Sequence, residues 1–67
     1  MMTIQVNGAP TEVPEEQTIA DLVRRLDVPE DGVAVALNLE VVPRTLHATT
    51  TLREGDRVEL VRAVGGG

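Results

Sequence analysis

Ile19, Leu22, Val23 and Leu26 stand at i, i+3, i+4 and i+7 in the stretch QTIADLVRRL, the spacing of one apolar stripe on a helix. Thr18 is placed to cap its N-terminus, and Asp21, three residues on, completes an acidic variant of the capping box. Arg24 and Arg25 fall in the last turns, where the helix dipole favours cations. Pro29 and Gly32 are expected to close the element. A helix of about nine residues does not hold in water alone. Its stripe needs a partner surface, and the rest of the chain has the period of strands.

The length allows one domain and no more, since a chain of 67 residues buries only about 60% of the surface its unfolded form exposes. With no cysteine and a single histidine, His47, neither a disulfide framework nor a thiolate or histidine-rich metal site is available. Packing must hold the fold, and with Phe, Tyr and Trp absent the core is aliphatic. The same absence removes the stacking platforms on which single-stranded nucleic acid binds. Eleven acids against six arginines and no lysine give a net charge of −5. Such a surface repels phosphate backbones and anionic lipid, and suits a basic protein partner instead. The opening MMTIQVNGAP is too polar for a secretory signal or a membrane span, so a cytoplasmic protein is expected.

MTIQVNGAPTEV reads as a hairpin. Ile4 and Val6 alternate with Thr3 and Gln5, and Asn7-Gly8 tolerates the positive φ of a tight turn. The second arm, residues 9–13, holds Pro10 and is therefore expected at a sheet edge. In GVAVALNLEVVPR, Val33, Val35 and Leu37 share one face and Ala34 and Ala36 the other. Residues 38–40 read as a turn, Val41-Val42 as a short strand and Pro43 as its end. TLHATTTL reads as an irregular connection anchored by Leu46 and Leu52, and REGD as a turn. In RVELVRAV, Val58, Leu60 and Val64 alternate with Glu59, Val61 and Ala63. The fold class is α+β, one helix on one face of a four- or five-stranded sheet. The expected core is Ile4, Val6, Val13, Ile19, Leu22, Val23, Leu26, Val35, Leu37, Val42, Leu52, Val58 and Leu60.

The chain finishes VRAVGGG. Ordering three glycines costs the most entropy and adds nothing to a core. A phosphate-binding loop is excluded, because no Lys-Ser/Thr and no helix start follow. What the tail offers is bare backbone ending in a carboxylate, with a reach of roughly 10 Å at ~3.3–3.6 Å per residue. Such a tail can thread a narrow channel. Its carboxylate, once activated as an acyl-adenylate, becomes the reactive centre, and the globular part is its handle. Frayed ends and cloning remnants also look like this.

The pattern as a whole resembles the ThiS family of sulfur carriers, small ubiquitin-like β-grasp proteins of thiamin biosynthesis. The resemblance covers essentially all of the chain. It rests on the opening strand with its NG turn, on QTIADLVRRL, on VALNLEVVPR, on LREGDRVELVRAV and on the terminal glycines. The N-x-x-x-V-P-R stretch, Asn38 to Arg44, together with Gly55-Asp56 and the glycine end, is fairly specific in combination; each piece alone is weak. The resemblance implies a β-grasp domain over residues 1–64 with a mixed sheet, and a flexible tail over residues 65–67. It implies that the Gly67 carboxylate is adenylated with ATP by a ThiF-type adenylyltransferase. Sulfur from a cysteine desulfurase relay then displaces AMP, leaving a thiocarboxylate that thiazole synthase draws on. Gly66 and Gly67 carry the family's motif, and Gly65 lengthens the arm and joins Gly66 in tail recognition. The carrier is then a co-substrate with no catalytic residue, metal or cofactor of its own, ATP belonging to its partner.

Ala34, Ala36, Val61 and Ala63 form a candidate docking patch on the face away from the helix, with ordinary exposed apolar surface as the alternative. Arg62, beside the tail, reads equally as a contact to a partner's acid and as a solvated strand residue. Arg44 and Asp56 read as turn residues, His47 as a solvent-exposed loop histidine, and Glu12, Glu15 and Glu16 as a solvated acidic rim. Two other functions stay open: a molybdopterin-type or other biosynthetic sulfur carrier, and a non-catalytic β-grasp interaction module with an inert tail. An independent enzyme is disfavoured, because no paired carboxylates, no Ser/His or Cys/His set and no cofactor loop are present.

Overall fold

A computed structural model describes residues 1–28 and 32–62, the last of these by its backbone. In chain order these residues form β1 (Met2–Val6), β2 (Ala9–Val13), α1 (Ile19–Arg25), β3 (Val33–Leu37), β4 (Glu40–Val42), a 3-10 helix (Arg44–Leu46) and β5 (Arg57–Arg62). The strands make one sheet in the spatial order β2-β1-β5-β3-β4. β1 is antiparallel to β2 and parallel to β5, and β3 is antiparallel to both β4 and β5. The expected α+β architecture is present, and the last strand in sequence is the middle strand in space.

Both hairpins close on two residues in left-handed conformation. Asn7 (φ 50°) and Gly8 (φ 83°) join β1 to β2 in the register Val6↔Ala9. Such turns match the twist of the flanking strands. Pro10 pairs with Gln5, one step beyond the hydrogen-bonded pair, so its nitrogen faces the open edge and no ladder bond is lost. The second turn is shorter than the expected 38–40: Asn38 (φ 51°) and Leu39 (φ 72°) suffice, and Glu40 already belongs to β4. The resulting register sets Val42 against Val35 and Val41 against Ala36. Val42 therefore faces the helix side and Val41 the opposite side.

α1 is capped as its sequence predicts. The Thr18 hydroxyl accepts the Asp21 N–H at 3.1 Å, and the Asp21 carboxylate accepts the Thr18 N–H at 3.1 Å. The N–H groups of Ile19 and Ala20 donate to the carbonyls of Thr50 and His47, each at 3.0 Å, so the connection before β5 satisfies the helix start. The helix stops sooner than Pro29 would require. Asp27 is left-handed (φ 56°), its N–H donates to Arg24 O, and the Val28 N–H donates to Val23 O. This Schellman arrangement uses aspartate where glycine is usual. Leu26 thus caps the helix rather than extending it. Pro29 lies outside the described residues, and Gly32 (φ 78°) leads into β3.

The buried core holds Ile4, Val13, Ile19, Leu22, Val23, Val35, Leu52 and Val58, all expected, together with Met2, which pairs with Val13 one turn of the alternation before Ile4. Val6, Leu26, Leu37, Val42 and Leu60 pack around it half-buried. Each fully buried aliphatic side chain contributes about 1.5–3 kcal/mol. Leu46, expected as an anchor, is instead 48% exposed. Its segment is held by polar bonds: the Leu46 N–H donates to Pro43 O, and the hydroxyls of Thr49 and Thr50 donate to Leu46 O. His47 is half-buried rather than solvent-exposed, and its Nε2 donates to Val42 O at 2.9 Å. The segment read as irregular thus contains the short 3-10 helix and a histidine brace to β4.

Candidate functional site

Two features converge on β5: the chain leading to the glycine tail, and the sheet face that α1 leaves open. Residues 63–67 lie outside the described residues, so Ala63, Gly65, Gly66 and Gly67 receive no structural account. Their position follows from β5, which ends at Arg62 in the middle of the sheet, paired with Val33.

On the open face, Ala34 stands opposite Val61, and Ala36 stands between Glu59 on one side and Val41 on the other. Val61 is 58% exposed and Val41 74%. The structure therefore brings Ala34, Ala36 and Val61 together and adds Val41, which the sequence reading left without a role. A two-residue turn at Asn38-Leu39 was the signal that would have found it, since that register alone places Val41 beside Ala36. Leu39, at the hairpin tip, is 79% exposed. Arg62 takes the next register position after Val61, beside Val33.

The other half of this face is polar. Gln5 pairs with Pro10 and Arg57, and Thr3 pairs with Glu12. Gln5, Asn7, Gly8, Arg57 and Glu59 line an open depression between the two halves. A surface apolar at one side and polar at the other, with a chain end emerging between them, can seat a partner and hand it a tail. Glu12, Glu15 and Glu16 are all exposed, in keeping with a solvated rim.

The motif residues Asn38 and Gly55-Asp56 meet at the opposite end of β5. Asn38 Nδ2 donates to Asp56 Oδ1 at 3.1 Å, and Asn38 Oδ1 accepts the Arg57 N–H at 3.0 Å. The second oxygen of Asp56 accepts the Arg53 N–H at 2.7 Å. Gly55, left-handed at φ 85°, donates its N–H to Thr3 O. Asp56 is thus a turn acid, as expected, but it also ties the start of β5 to the β3–β4 turn. Among the described residues no group of three or more His, Cys, Asp or Glu side chains is placed to hold a metal ion. No described helix is long and apolar enough to cross a membrane. Asp21 is held below the ordinary carboxylate value, first by the backbone N–H of Thr18, then by its hydroxyl, with a smaller contribution from the charge of Arg24.

The comparisons with known proteins agree with one another. A family model described as the ThiS family matches residues 4–67. The sulfur carrier protein ThiS of Escherichia coli K12 is 32% identical over 66 residues, which make up 98% of this chain and 100% of that one. The crystal structure of the thiamine biosynthesis protein (ThiS) from Geobacter metallireducens superposes with a TM-score of 0.86 at 38% identity, covering 98% of this chain and 100% of that chain. A thiazole synthase of Paramagnetospirillum magneticum is 35% identical over 66 residues, 98% of this chain but 20% of the relative, so the chain spans about a fifth of that protein's length.

Proposed function

The chain belongs to the ThiS family of sulfur carriers in thiamine biosynthesis, and from that premise we propose that Gly67 is the residue that carries the sulfur. The carboxylate oxygen attacks the α-phosphorus of ATP in a ThiF-type adenylyltransferase, pyrophosphate leaves, and an acyl-adenylate forms at Gly67. A sulfur nucleophile supplied through a cysteine desulfurase relay adds to the acyl carbon and expels AMP. The C–O bond to phosphate is exchanged for a C–S bond, and a thiocarboxylate remains. Thiazole synthase then takes that sulfur into the thiazole ring. The protein is a co-substrate in this sequence and not an enzyme. Gly65 and Gly66 have no Cβ and let the arm enter a narrow channel.

The observation that carries this reading is the place of the tail: it continues the central strand β5, beside an open face whose apolar half holds Ala34, Ala36, Val41 and Val61. An adenylyltransferase that seats this half has the chain end at hand. Ala63 and Arg62 stand between patch and tail, and we assign them to the same contact. The thiazole synthase relative favours the thiazole branch over a molybdopterin-type one.

The test is an intact mass after incubation with a thiamine-type adenylyltransferase, ATP and a sulfide source. A gain equal to the mass difference between sulfur and oxygen, mapped to Gly67 by fragmentation, is expected. No gain with an enzyme competent on its own carrier would sink the assignment. Deleting Gly66 and Gly67 should abolish charging while leaving the fold intact.

A further inference from the structure

The strand that leads to the tail is held differently on its two sides, and the difference singles out Asn7. On one side β3 accompanies β5 as far as Arg62. On the other, β1 pairs with β5 only at Gln5↔Arg57 and Val6↔Val58, and then turns away at Asn7-Gly8. Asn7 carries the parallel ladder one step further. Its backbone N–H donates to Val58 O at 2.9 Å, and its Oδ1 accepts the Leu60 N–H at 2.8 Å. The side chain stands where the carbonyl of a continuing strand would stand. The turn requires a left-handed residue here, which Asn, Asp or Gly supplies readily. Glycine would close the turn as well, but it would leave the Leu60 N–H without this partner.

On the reading that the chain beyond Arg62 is the reactive arm, we propose that Asn7 is a positioning residue for sulfur loading. It fixes the backbone of β5 at Leu60, the root of the arm, and so sets the direction in which Gly67 is presented. Five residues follow Arg62, a reach of at most about 18 Å. Over that length a tilt of roughly 10° at the root moves the tip by about 3 Å. Misplacement of a reacting atom by about 1 Å can cost as much as a hundredfold in rate. Asn7 touches neither the reacting carboxylate nor ATP; it acts through the strand.

The experiment compares wild type with Asn7→Gly, which keeps the left-handed turn and removes the acceptor, and Asn7→Asp, which keeps both. Hydrogen exchange at the Leu60 amide, the urea midpoint, and the kcat and KM of loading by the adenylyltransferase are measured for each. In Asn7→Gly the Leu60 amide should exchange about tenfold faster, with the midpoint nearly unchanged because the opening is local. Its kcat for loading should fall about three- to tenfold with KM within about twofold, since the loss is one of placement and not of docking. Asn7→Asp should restore both the protection and kcat. The proposal is overturned if Asn7→Gly frees the Leu60 amide yet loads normally, if the defect lies in KM alone, or if Asn7→Asp fails to rescue. A wild-type protein that does not load with a competent enzyme refutes the reading of the tail itself, which is a separate outcome.

Discussion

Asn38→Asp exchanges an amide NH2 for oxygen at the point where the start of β5 is tied to the β3–β4 turn. The variant keeps the left-handed backbone, which aspartate tolerates, and keeps the acceptor for the Arg57 N–H. It loses the donor to Asp56 Oδ1, worth about 1 kcal/mol for an exposed bond of this kind. It also sets two carboxylates face to face. At the 3.1 Å now spanned by the hydrogen bond, like charges repel by about 1.3 kcal/mol even at the dielectric of water. The two effects together destabilise by about 2 kcal/mol. For 67 residues the whole stability is of order 3–10 kcal/mol, so the loss is large. Thermal unfolding followed by circular dichroism at pH 7 should show a melting temperature lower by about 8–16 °C. The sign with pH is fixed as well. Repulsion in the folded state raises the pKa of the introduced carboxyl above its unfolded value of about 3.9. The penalty is therefore full at neutral pH and fades as pH falls below that value, where the carboxyl is protonated in both states. The difference between variant and wild type should narrow in acid, leaving only the lost bond. Equal melting at pH 7, or a gap that does not narrow, would refute the role given to the Asn38–Asp56 contact.

Other perturbations have equally definite outcomes. Leu22→Ala empties a fully buried site between helix and sheet and should cost about 2–5 kcal/mol in a urea titration, enough to bring the protein close to unfolding. Leu39→Gly removes a branched residue from left-handed backbone at an exposed turn; with the entropy of glycine set against the relieved strain, it should raise stability by up to about 1 kcal/mol. Asp21 has its pKa lowered from 3.8, so its contribution is present above that value and is lost as pH falls through the lowered one. Acid titration of wild type should consequently show a steeper loss of stability than Asp21→Asn, which has no carboxyl to protonate.

The elements with strict period were legible. The stripe from Ile19 to Leu26 located the helix, Thr18 and Asp21 located its cap, and the alternation around Ile4, Val35 and Val58 named the buried face. What escaped notice lacked the usual residue type. A glycine at position 27 would have announced the end of the helix, but Asp27 takes the left-handed position instead. Leu39 hides the two-residue turn in the same way, and with it the register that exposes Val41. Leu46 and His47 were misjudged because apolar character suggested an anchor, whereas hydroxyls, carbonyls and an imidazole hold that segment. Asn7 was read as a turn residue, which it is. Its second bond, to Leu60, is a contact across 53 residues that no local pattern contains.

The placement of β5 between β1 and β3 also has a mechanical meaning. A pull along the chain beyond Arg62 loads the hydrogen bonds to both neighbours in shear, so many must yield together. An edge strand pulled from its end would instead peel, one bond at a time. An arm rooted this way can be drawn into a partner and withdrawn again without unravelling the body that carries it.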